Sequence, residues 1–206
     1  MENIIPSHFI LNVKPAANAK AIVLAGKARF TVLTPRMIRM EWSPDGVFED
    51  CASQAFWYRE QPVPPYDVKR SENRVVIDTG VLRLVYILDQ PFSPETLWIE
   101  MKDSGVVWHF GDPDSGNLLG TARTVDGVDG ATPLSLGLIS RSGWSVVDDS
   151  NSLVFNDVGW LEPRNSPPGQ ADLYFLGYGH DYFGCLRDFN RIAGSVPMIP
   201  RFVLGN

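Results

Sequence analysis

Alternation of apolar and polar residues, broken every few positions by glycine or proline, is what most constrains the fold of this chain. In ARFTVLTPRMIRMEWS (28–43) the apolar positions Phe30 and Val32, then Ile38, Met40 and Trp42, alternate on either side of Pro35. Successive side chains of a strand point to opposite faces, so this spacing writes two strands, each with one apolar face. RVVIDTGVLRLVYIL repeats the device, with Val75 and Ile77 before a Thr-Gly turn and Leu82, Leu84 and Tyr86 after it. LWIEMKDSGVVWHFG alternates Leu97, Ile99 and Met101, then turns at 103–105 before Val107. The 16 prolines and 18 glycines among 206 residues supply the turns that such short runs need. This pattern predicts an antiparallel β-sandwich rather than alternating βαβ units.

One late segment departs from the two-residue period. HDYFGCLRDFNRIAG places Tyr182, Leu186, Phe189 and Ile192 at helical spacing. Asp181 belongs in the first turn, at the positive end of the helix dipole, and Gly194 at the C-terminal cap. A content of 44% hydrophobic and 20% charged residues suits a domain with a sizeable core. The net charge of -6 and the scattered lysines and arginines exclude a nucleic-acid surface, which needs clustered basic residues. The start MENIIPSHFILNVKPAANAK lacks a basic stretch followed by a long apolar core. No apolar run approaches the ~20 residues of a membrane span, so the expectation is a cytoplasmic protein with no membrane partner. Cys51 and Cys185 read as two unpaired thiols.

Candidate chemistry is sparse. Gly177 and Gly179 stand between a strand and a helix, like a dinucleotide-binding turn, but Tyr182 occupies the place of the third glycine. They read as a tight corner. GDPDSGN (111–117) opens like a calcium loop, yet Arg123 stands where the closing glutamate belongs. His8, His109 and His180 lack zinc-site spacing, and there is no G-x-S-x-G elbow. Asp148 and Asp149 point to opposite faces of a strand and read as a polar turn closing it. Asp126 and Asp129 differ, because RTVDGVDGATP is a long glycine-rich connection of the kind on which binding groups lie. No catalytic set, metal site or cofactor site is complete.

Four stretches together resemble the N-terminal region of glycoside hydrolase family 31, the α-glucosidase and α-xylosidase family. They are ARFTVLTPRMIRMEWS, NLLGTARTVDGVDG, GLISRSGWSVVDDS and DLYFLGYGHDYFGCLRDFNRIAGSVPMIPRFVLGN. In the last, Gly194, Pro197, Pro200, Arg201, Leu204 and Gly205 match the run that leads into the family's barrel. The resemblance spans roughly residues 28–206. It implies a galactose-mutarotase-like β-sandwich whose C-terminal helix leads toward a (β/α)8 barrel absent from these residues. The implied boundaries are an N-terminal extension at 1–27, the sandwich at 28–179, and a linker helix with the start of the barrel at 180–206. The resemblance further implies retaining hydrolysis of α-glycosidic bonds by two aspartates about 5 Å apart. Both would lie in the barrel, so no catalytic residue is assigned here and the segment is expected to be inactive alone. An α-linked oligosaccharide or glycoside would be the substrate of the full enzyme, and the barrel the sandwich's partner. With that barrel missing, the expectation is a homo-oligomer or poor solubility. The resemblance also implies that ARTVDGVDGATPLSLG (122–137) reaches over the sugar pocket, with Asp129 and then Asp126 accepting hydrogen bonds from sugar hydroxyls. Two other functions fit such a domain: an independent carbohydrate-binding module and a mutarotase-like isomerase.

Overall fold

The structure, a computed structural model, describes residues 12–120, 122 and 126–195. His8, Arg123 and the Pro197–Gly205 run lie outside these residues. Along the chain come β1 (Ile22–Ala25), β2 (Ala28–Thr34), β3 (Met37–Trp42), β4 (Asp67–Arg70), β5 (Arg74–Asp78) and β6 (Leu82–Ile87). They are followed by β7 (Leu97–Met101), β8 (Val106–His109), β9 (Ser145–Asp148), β10 (Val154–Phe155), β11 (Leu161–Glu162), β12 (Ala171–Leu176) and α1 (Tyr182–Ala193). One sheet has the order β1-β2-β3-β12-β9 and the other β4-β5-β6-β7-β8, with β10 and β11 as a separate pair. Every pairing between these strands is antiparallel. The chain is therefore a β-sandwich with a single α-helix among the described residues.

The alternating residues meet where the sequence places them. Phe30, Val32, Ile38, Met40 and Phe175 of the first sheet pack with Val75, Ile77, Leu84, Ile99 and Trp108 of the second. Full burial of one such side chain contributes roughly 1.5–3 kcal/mol. The first sheet already begins at Ile22, inside the stretch read as an extension, because β1 pairs with β2 across a turn at Gly26 (φ 62°). The exposed edge strand β4 carries Asp67, Lys69 and Arg70, charges that discourage another strand from adding there.

The outer face of the first sheet is buried too. β2 is inaccessible along its whole length. Leu33, Met37, Tyr174 and Leu176 form a second apolar cluster with Phe56, Tyr178, Cys185 and Ile192. Phe56 stacks on Tyr174 at 3.5 Å between ring centres. Helix α1 and the 49–60 segment thus act as a lid of packed side chains over the sheet. Asp181 proves to be the N-cap of α1 rather than a first-turn residue, its carboxylate accepting from Gly184 N at 2.9 Å. The inward side of α1 is Cys185, Phe189 and Ile192, whereas Leu186 and Phe183 face solvent. This corrects the expected apolar stripe, since Cys185 fills the place read for Leu186.

Next to that cluster lie charges that a sandwich would ordinarily expose. The register sets Arg29 opposite Glu41 and Glu41 opposite Asp172 across β2, β3 and β12. Arg29 grips both Glu41 oxygens at 2.7 and 2.8 Å, and Arg39 grips both Asp172 oxygens at 2.8 and 2.7 Å. Arg164 bridges Asp172 at 2.7 Å and Asp149 at 2.6 Å, and Arg59 donates to Tyr174 Oη at 2.6 Å. With Asp50 on Arg29 at 2.8 Å, the guanidiniums of Arg29, Arg39, Arg59 and Arg164 face the carboxylates of Glu41, Asp50, Asp149 and Asp172. The charges balance. Asp148 does point away from Asp149 and caps Ser150 N at 2.9 Å, but Asp149 is wholly buried in this cluster and is no part of a solvated turn.

Candidate functional site

The connection from β8 to β9 carries Asp126 and Asp129, and its two stems are tied together by the backbone. Leu118 N donates to Ile139 O at 3.0 Å, Gly120 N to Ser135 O at 2.6 Å, and Arg141 N to Gly116 O at 2.8 Å. Between these rungs sits the side chain of Asn117. Its Oδ1 accepts from Leu119 N at 2.8 Å and from Gly137 N at 2.7 Å. Its Nδ2 donates to Gly137 O at 3.1 Å and to Asp114 Oδ2 at 2.8 Å. An amide has two protons and two lone pairs to offer, and all four are used here. Asp114 is held in turn by Ser140 Oγ at 2.5 Å.

The stems are packed as closely as they are bonded. A Cβ on Gly137 would lie 2.6 Å from Leu119 O, so that position must be glycine. Leu119 has φ 62°, a left-handed conformation that costs a side-chain-bearing residue on the order of 1–3 kcal/mol and persists only when its surroundings hold it. The return stem is fixed to the body of the domain at Leu138 O, which accepts from Ser145 Oγ at 2.6 Å and from Cys185 Sγ at 3.3 Å. Beyond the stems Asp126 and Asp129 are exposed, three positions apart, beside Gly127 (φ 71°) and Gly130 (φ 91°). Leu134 and Leu136 are exposed on the same connection.

The other candidates are engaged elsewhere. Asp112 accepts from His109 N at 2.8 Å and Asp114 belongs to the Asn117 network, so the calcium-like stretch is committed to protein partners. Among the described residues no group of three or more His, Cys, Asp and Glu could hold a metal ion. The helix N-terminus after Gly179 (φ 58°) is filled by its own Asp181 carboxylate, as a tight corner requires. His180 lies 3.3 Å from Arg141 O, far along the chain from His109. Both cysteines are free thiols, and burial raises them, Cys51 to about 11 and Cys185 to about 12. They stay protonated at neutral pH. Among the buried carboxylates, Asp172 is likewise unsuited to acid-base work. Burial opposes the Asp172 charge, but Arg39, Arg59 and Arg164 outweigh it and hold the carboxyl far below its usual range. A cleft of 480 Å³ between the 54–58 segment and the end of α1 is lined by Trp57, Tyr58, Phe189, Asn190 and Gly194 among others. Among the described residues no helix is long and apolar enough to cross a membrane.

The sequence reading missed Asn117, Asp114 and Ser140. The signal available was a glycine flanking each stem, in GNLLG and SLGLIS, with one carboxamide between.

No family model matches the chain, and no curated protein does. Solved structures do match. Two of Flavobacterium johnsoniae GH31 dextranase, one complexed with glucose and one a mutant complexed with isomaltotriose, each share 16% identity with the chain. Each has a TM-score of 0.53 over 89% of this chain and 28% of that one. The chain thus spans little more than a quarter of those proteins, and its fold is related to that part of a GH31 enzyme.

Proposed function

We propose that this chain is the N-terminal β-sandwich segment of a retaining α-glycosidase, supporting the catalytic barrel and lending the 118–137 connection to the sugar pocket. The observation that carries the reading is the structural likeness over 89% of the chain to part of a GH31 dextranase. A connection clamped at its base and carrying two exposed carboxylates suits a pocket wall, since a fixed acceptor can orient a sugar hydroxyl without performing chemistry. The catalytic aspartates would belong to the barrel. The purified 206-residue chain is therefore expected to release no nitrophenol from a p-nitrophenyl α-glucoside, and measurable turnover overturns that part of the reading. In the full enzyme Asp129→Ala is expected to raise KM, with Asp126→Ala the weaker of the two. Unchanged KM and kcat in both variants remove the loop from the pocket.

The rival carbohydrate-binding module would need an exposed aromatic strip or a closed pocket on the sandwich. The strongly exposed aromatics Trp160 and Phe183 stand on the β10–β11 hairpin and on α1, not in one strip. Titration of the chain with maltose and with isomaltose would reveal such a module by heat of binding.

A further inference from the structure

A loop presents its residues at a fixed height only if something holds its stems at a fixed angle, and here that role falls to one side chain. We propose that Asn117 is a positioning residue, which sets how Asp126 and Asp129 are offered to a sugar; the inference rests on the pocket-wall reading above. Three backbone groups across the two stems, Leu119 N, Gly137 N and Gly137 O, find their partner in this one carboxamide. Loss of it leaves all three to water and frees Leu119 from the bond that accompanies its left-handed φ of 62°. A leucine released from that conformation relaxes toward ordinary helical or extended values, and the direction of the chain leaving the stem changes with it.

The chemistry of the site demands an amide. Asp114 Oδ2 and Gly137 O are both acceptors, at 2.8 and 3.1 Å from Asn117 Nδ2. Aspartate at 117 would keep the two contacts to Leu119 N and Gly137 N but set a carboxylate oxygen against both acceptors. Asn117→Asp is therefore the discriminating variant: the same shape, half of the hydrogen bonds, and a like charge beside Asp114. Asn117→Ala removes all four bonds.

Hydrogen exchange on the 206-residue chain tests the clamp. In Asn117→Ala the amides of Leu119 and Gly137 are expected to exchange at least about 10-fold faster, the ratio that corresponds to ~1.4 kcal/mol. Asn117→Asp should speed Gly137 and Leu119 as well, while amides of β2, β3 and β6 keep their wild-type rates. Unchanged rates at Leu119 and Gly137 overturn the proposal. So does a uniform rise at every amide, or failure of both variants to fold, because Asn117 would then serve the whole domain rather than the loop. The second readout belongs to the full glycosidase, where both variants are expected to raise KM severalfold with kcat retained. Faster exchange with KM unchanged would leave the clamp standing and sink the pocket-wall reading, so the two failures are told apart.

Discussion

Asp172 stands on a strand whose neighbours Leu173 and Phe175 fill the sandwich core, yet its carboxylate is just as buried on the opposite face. It accepts two bonds from Arg39 and one from Arg164, so Asp172→Asn leaves two buried guanidiniums short of charge. Removing one partner of a buried ion pair costs about 3–5 kcal/mol. Urea unfolding of Asp172→Asn should show a loss of that size, whereas Asp148→Asn at the exposed neighbouring strand should stay within about 0.5 kcal/mol. The pH response has two signs. The Asp172 carboxyl is depressed in the folded chain, so its contribution is complete above the unfolded value of about 3.9 and is lost as pH falls through the folded one. Burial first, and the Asp172 charge second, raise the Asp149 carboxyl, so Asp149 subtracts stability at neutral pH and returns it as pH falls through that raised value. Urea midpoints taken from about pH 7 to about pH 3 should therefore flatten at the acid end in Asp172→Asn. In Asp149→Asn they should flatten above about pH 4. This cluster was not legible in the sequence, because Arg29, Arg39 and Glu41 occupy the positions that alternation assigns to solvent. The clue was parity: Leu33, Met37 and Leu176 share that same face and would not be spent on an open surface.

Among the elements, β2, β3, β5 to β8 and β12 were legible because one face of each is apolar and a turn residue bounds it. β4 was not. DVKR has one apolar residue and is a strand only because β5 offers it a ladder of hydrogen bonds. Nor was β1, whose IVLA run has no alternation to read. Helix α1 was legible as a helix but not in its rotation, since a small buried Cys185 gives a weaker hydrophobic signal than the solvent-facing Leu186 beside it. Its ends decide its strength. Asp181→Ala removes the acceptor for Gly184 N and should cost about 1 kcal/mol. For a domain of this size that lowers Tm by about 2–4 °C. Gly194→Ala should cost more, because φ 100° is strained for alanine and the new Cβ would stand 3.1 Å from the Tyr58 ring. Thermal scans of the two variants side by side check the order. Equal, unchanged melting would mean that α1 is held by its packing alone.

For the molecule as a whole, the notable surface is the one left uncovered. Phe183 is 87% exposed on α1 with Leu186 beside it, and Leu134 and Leu136 are exposed on the connection whose return stem is bonded to α1 through Leu138. Each exposed apolar side chain of this kind contributes to attraction for another apolar surface. In the proposed glycosidase the barrel would cover these side chains. Without it, the 206-residue chain is expected to cover them with a second copy, giving a sedimentation coefficient that rises with concentration. Replacing Phe183 and Leu136 together by glutamate should yield a monomer at every concentration. Both side chains face solvent, so unfolding free energy should shift by no more than about 0.5 kcal/mol per site. That pairing of outcomes separates an interface effect from a folding effect. A wild-type chain that stays monomeric throughout would show that these side chains are no interface. The case for a barrel packed against α1 would then rest on the likeness of the fold alone.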